Sequence, residues 1–93
     1  MSPEPNQMRP AELAQYIDTN KRSVQVEQGD RHCSATCAEL RRLGWRYRET
    51  YSSCSKATYE DSLEKDGYRL NAVSASFLGT FSDYRVWPMV AEG

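Results

Sequence analysis

The chain has one histidine and five scattered glycines, so it has neither a cluster of proton-transfer imidazoles nor a glycine-rich loop to cradle a phosphate. It lacks any apolar run near the roughly 20 residues a bilayer-spanning helix needs, and its first residues lack the charged-then-apolar pattern of a secretory signal. Three cysteines, Cys33, Cys37 and Cys54, cannot all pair within one chain, which argues against a secreted disulfide framework. A zinc site from His32, Cys33, Cys37 and Cys54 is disfavoured too, since no C-x-x-C pair occurs and adjacent His and Cys side chains do not easily reach one tetrahedral ion. Excess positive charge is also missing: the net charge is −1, which excludes a uniformly basic nucleic-acid binder. These absences predict a cytoplasmic protein without cofactor or metal.

What is present is an ordinary globular composition, with 39% hydrophobic, 27% charged and 11% aromatic residues, in a length that fits one core. Met1 to Arg9, with Pro3 and Pro5 and no periodicity, reads as a flexible tail, and residues 10–93 as one domain. Pro10 at a first helical turn, Glu12 near the helix dipole and Leu13, Tyr16 and Ile17 at i, i+3, i+4 predict a helix over 10–18. Val24 and Val26 alternate with polar residues as in a short strand, and Gly29-Asp30 marks a turn. Cys33 to Leu43 reads as a second helix ended by Gly44. Its inward stripe would be Cys33, Thr36 or Cys37, Leu40 and Leu43.

Trp45, Tyr47 and Tyr51 alternate with Arg46 and Arg48, a strand period that would put aromatics on one side and arginines on the other. Tyr59 and Leu63 at i, i+4 suggest a third helix over 56–65, whose solvated face would carry Glu60, Asp61 and Glu64. Asp66-Gly67 is a strong turn signal, and 68–77 and 81–90 read as strands joined near Gly79. The expected fold is a small α+β domain with three helices on a mainly antiparallel sheet of three or four strands. The expected core is Leu13, Tyr16, Ile17, Val24, Val26, Cys37, Leu40, Leu43, Trp45, Tyr47, Leu63, Tyr68, Leu70, Phe77, Val86 and Trp87.

The charges are segregated along the chain. Residues 31–48 hold five arginines against one glutamate, whereas 49–66 hold five carboxylates against two lysines. In Arg41-Arg42-Leu43-Gly44-Trp45-Arg46-Tyr47-Arg48, four arginines are interleaved with aromatics, which suits phosphate and base contacts. It suits protein interfaces as well. A third arrangement would bury Trp45 and Tyr47 and pair the arginines with the acidic segment, each surface pair contributing at most about 1 kcal/mol. No base is evident for the hydroxyls and thiol of residues 52–55, and His32 beside a helix start reads as a polar surface or capping residue, so the chain is read as a non-enzyme.

The run Ser34-Ala-Thr-Cys-Ala-Glu-Leu-Arg-Arg-Leu-Gly-Trp-Arg-Tyr-Arg-Glu-Thr, followed by Gly67-Tyr68-Arg69-Leu70, resembles the recognition helix and wing of small winged helix-turn-helix proteins of bacteria and prophages. The resemblance covers about 25 residues. It implies that Ser34, Ala35, Ala38, Arg41 and Arg42 face the major groove, while Arg46, Arg48 and Arg69 touch the backbone from the wing. The expected function is therefore a small DNA-binding regulator, phage or mobile-element encoded and able to act as a homodimer. The alternative is a phage-type protein that binds and inhibits a host nuclease or defence complex.

Overall fold

Pro10 opens the first helix because its fixed φ suits a first turn and its missing N–H would have no partner there. The backbone N–H of Arg9 donates to Glu12 Oε1 at 3.0 Å, closing the N-terminal turn. In the computed structural model, which describes residues 4–52, 58–75 and 81–89, this helix, α1, spans Pro10–Asn20. It ends at Lys21, left-handed at φ 52°, whose N–H bonds the carbonyl of Ile17. Then follow β1 (Val24–Val26), α2 (Asp30–Arg42), β2 (Arg46–Ser52), β3 (Thr58–Lys65), β4 (Tyr68–Ala75) and β5 (Phe81–Pro88).

The five strands form one antiparallel sheet in the order β1-β5-β4-β3-β2. This order determines where the outward face of the second helix falls. Since β1 and β2 are opposite edges, the connecting helix α2 must cross the whole width of the sheet, and its C-terminal end arrives beside β2. The chain then returns as a meander, β2 to β5, until β5 pairs with β1. The β3–β4 hairpin has the two-residue loop Asp66-Gly67, both with positive φ (50° and 80°), the geometry whose twist matches paired strands.

The helices cover one sheet face. Leu13, Ala14 and Ile17 of α1 and Cys33, Cys37 and Leu40 of α2 are buried with Val26, Trp45, Leu63, Leu70, Ala72 and Tyr84. The positions between them on the strands, such as Ser62, Glu64, Arg69 and Asn71, are half-buried on the other face, and no described helix packs there. None of the described helices is long and apolar enough to cross a membrane.

Several expectations need correction. The third helix is strand β3: register pairs Asp61 with Ala72 and Leu63 with Leu70, so Asp61 and Leu63 face the helices together. Period two was hidden because one inward position is a carboxylate, Asp61, buried rather than on a solvated face. The sheet accordingly has five strands rather than three or four, and the described residues hold two α-helices. The helix-turn-helix and wing are not formed either. Only α1 precedes α2 as an α-helix, with β1 between them, and β3 separates the two expected wing strands, β2 and β4.

Two aromatics expected in the core are exposed, Tyr47 (41%) and Trp87 (38%), whereas Tyr84 is fully buried. Phe77, Cys54 and the turn at Gly79 lie outside the described residues. Of the segment expected as a tail, Pro5–Gln7 forms a single 3-10 turn, Asn6 bonds Glu27, and Met8 is buried.

Candidate nucleic-acid interface

Helical geometry repeats a face every three to four residues, so a helix lying on a sheet hides one stripe and shows another. Inward along α2 point Cys33, Thr36, Cys37 and Leu40. The exposed residues of 31–42 are Arg31, Ser34, Ala35, Ala38, Arg41 and Arg42, and none of them is acidic. The two ends of this stripe are basic and its middle is made of small side chains. Eleven residues at about 1.5 Å rise separate Arg31 from Arg42 by roughly 16 Å along the axis.

The stripe meets β2 through a tight turn. Gly44 takes φ +106°, a conformation that strains any residue with a Cβ, while the N–H groups of Gly44 and Trp45 bond the carbonyls of Arg41 and Leu40, each at 3.1 Å. Trp45 is buried and donates Nε1–H to Asp18 Oδ1 of α1 at 3.0 Å. Lys65 Nζ reaches the same oxygen at 2.7 Å and also donates to the carbonyl of Leu43 at 2.7 Å. Burial alone would raise the Asp18 carboxyl. The bonds from Lys65 and Trp45, with the charges of Lys21 and Lys65, outweigh burial and hold it below its ordinary value. The turn that carries the basic residues is thus tied to α1 and β3.

Beyond the turn, Arg46, Tyr47 and Arg48 begin the edge strand. Tyr47 shares the helix-covered face with Leu63, and its hydroxyl donates to the buried Asp61 Oδ1 at 3.0 Å. Partial burial, with the Asp61 bond and charge, raises the Tyr47 phenol above its ordinary value. The Arg41 guanidinium lies 5.5 Å from the centre of the Tyr47 ring, within cation–π range. Arg41, Arg42 and Arg46 rim a surface depression of about 520 Å³ whose floor is Ala38, Trp45 and Tyr47.

Arg46 and Arg48 both face Glu64, with guanidinium nitrogens 3.7 Å from its two carboxylate oxygens. A β-bulge intervenes, because the register shifts between Tyr47 and Glu49 and leaves Arg48 as the extra residue. The bulge overturns the expected alternation: position 51 pairs with Glu60 and so is in phase with Arg46, out of phase with Tyr47.

Of the residues expected at the site, Ser34, Ala38, Arg41, Arg42 and Arg46 lie on one continuous surface, with Arg48 at its border. Arg69 does not join them. Its register partners are Glu64 and Trp87 on the uncovered sheet face; Arg46 shares that face through its own pairing with Glu64, but from the edge strand it also reaches the depression beside α2, whereas Arg69, two strands in, does not line it. Two further residues share this surface and were not expected on it: Arg31, visible as the i−3/i−4 neighbour of Ser34 and Ala35, and Tyr47, whose alternation with arginines suggested core rather than contact.

Cys33 and Cys37 are free buried thiols under α2. A contact with Cys33, burial, and the nearby Asp61 charge push the Cys37 thiol well up, so it stays protonated. Among the described residues, no three His, Cys, Asp or Glu side chains are grouped to hold a metal. His32 is engaged locally, its Nε2 2.9 Å from the Met8 carbonyl and its Nδ1 3.5 Å from Thr36 Oγ1.

Compared with family models, curated proteins and solved structures, the chain matches none of them.

Proposed function

We propose that the domain binds duplex DNA through the outward face of α2 and the arginines that follow it onto β2, acting as a small cytoplasmic regulatory protein of a phage or mobile element. One observation carries this reading: the six exposed residues between 31 and 42 are all arginine, serine or alanine, so the fully solvent-exposed face of this segment has no carboxylate, its one glutamate, Glu39, being half-buried. Small residues at 34, 35 and 38 let the helix approach a groove closely. Arginines roughly 16 Å apart match the width of a major groove, about 12 Å, with phosphates on either side. The Arg41, Arg42 and Arg46 rim supplies a seat for a backbone phosphate, with donors that suit its oxygens. A near-neutral total charge is no obstacle, since the local field at this surface is what a polyanion meets.

Fluorescence anisotropy with a labelled 20-base-pair duplex tests the reading. With four phosphates contacted, affinity falls roughly 100-fold between 50 and 200 mM salt, and Arg41→Ala with Arg42→Ala flattens that dependence by about two contacts. No binding at 50 mM salt, or binding untouched by the double substitution, would sink it.

A second reading, a protein-binding inhibitor of a host nuclease or defence complex, draws support from the uncovered sheet face, where Trp87 is exposed and lies opposite Arg69. A stoichiometric protein partner that survives nuclease treatment and is lost with Trp87→Ala would favour it.

A further inference from the structure

Arg46 lies on the border of two depressions. On one side it shares a rim with Arg41 and Arg42, and on the other it lines a second hollow of about 340 Å³ with Glu64 and Lys65. Glu64 holds Arg46 and Arg48 at once, one guanidinium to each oxygen, at distances longer than a hydrogen bond. The Arg46 side chain is 83% exposed and can swing without unpacking anything, while that of Arg48, 41% exposed, is partly covered. Glu64 itself is fixed at mid-sheet in β3, paired in register with Arg46 and Arg69.

We infer, resting on the DNA-binding reading above, that Glu64 is a built-in competitor for the phosphate: it parks the β2 arginines over the sheet face, and they leave it for the nucleic-acid backbone on binding. The physical basis is a difference in partners. A carboxylate that offers one charge to two exposed guanidiniums satisfies neither fully, whereas two successive phosphates offer each arginine its own anion. Glu64 thereby lowers affinity for any polyanion equally, and weak off-target backbone contacts are the first to be lost.

The test is a double-mutant cycle, because removing any carboxylate near DNA tightens binding somewhat through the general field. Affinity for a 20-base-pair duplex is measured for wild type, Glu64→Gln, the Arg46→Ala/Arg48→Ala pair, and the triple variant. Glu64→Gln is expected to tighten binding about fivefold, equal to about 1 kcal/mol, in the wild-type background. It should change affinity less than about twofold when both arginines are gone. Glu64→Thr, a side chain at home in a strand, should repeat the pattern and guard against a folding artefact of the amide. An equal gain in both backgrounds, or no gain in either, overturns the competitor role while leaving DNA binding intact. Failure of both wild type and Glu64→Gln to bind overturns the DNA-binding reading and this inference with it.

Discussion

Two carboxylates in this domain each gather cations, and they do opposite things. Asp18 accepts from Lys65 at 2.7 Å and Trp45 at 3.0 Å, with its own side chain and that of Lys65 largely covered. Glu64, nearly as covered, faces at 3.7 Å two guanidiniums that are themselves much more exposed, Arg46 (83%) and Arg48 (41%). Short, shielded contacts act where water cannot compete, so the first constellation fastens α1, the α2–β2 turn and β3 together. Long contacts to exposed guanidiniums contribute little to stability and are easily exchanged, so the second leaves its arginines available. Environment, more than the residue types, separates a structural ion cluster from a binding surface.

The comparison breaks if substitutions at the two carboxylates behave alike. The largest effect is expected for Asp18→Asn, which leaves Lys65 and Trp45 Nε1 facing a neutral partner and should destabilise the fold by about 2 kcal/mol, read as a lower denaturation midpoint in urea. Next comes Gly44→Ala, expected to cost about 1 to 2 kcal/mol, since alanine is strained at φ +106° and its Cβ would meet Lys65 Cε at 3.4 Å. A drop in thermal midpoint of more than about 4 °C would accord with that cost.

A pH titration sharpens the contrast further. The Asp18 carboxyl is held low in the folded state, so its contribution is present above the unfolded value near 4 and is lost as pH falls through the lower folded value. Wild type and Asp18→Asn should therefore converge in stability at low pH. A gap that does not narrow at all as pH falls below the unfolded value would mean the link is not electrostatic. The smallest effect is expected for Glu64→Gln, within about 0.5 kcal/mol of wild type, as for other solvated ion pairs.

Much of this architecture was legible in the residues. Pro10, Glu12 and the Leu13-Tyr16-Ile17 spacing mark α1, Gly44 marks the end of α2, and Asp66-Gly67 marks a turn, which the structure makes the loop of the β3–β4 hairpin. The exposed stripe of α2 followed from periodicity alone. Strand β3 did not, since Asp61 at an inward position disguises alternation as a charged helix face, and the bond from Tyr47 helps make that burial tolerable. The separation of Arg69 from the α2 surface was also beyond reach, since it sits two strands in from the edge that Arg46 occupies. Sequence shows which arginines are near one another along the chain, while strand order decides how far each lies from the edge beside α2. The bulge at Arg48 shifts the phase of β2 by one residue, and no local pattern announces such an insertion.

That extra residue has a consequence for the molecule at high concentration. Strand β2 closes one edge of the sheet, where backbone donors and acceptors point outward in the manner that invites a neighbouring chain to zip on and start a fibre. An inserted residue flanked by exposed guanidiniums spoils the register a newcomer would need and repels a like copy. Deleting Arg48 would straighten this edge, and the domain's first failure would then be self-association rather than unfolding.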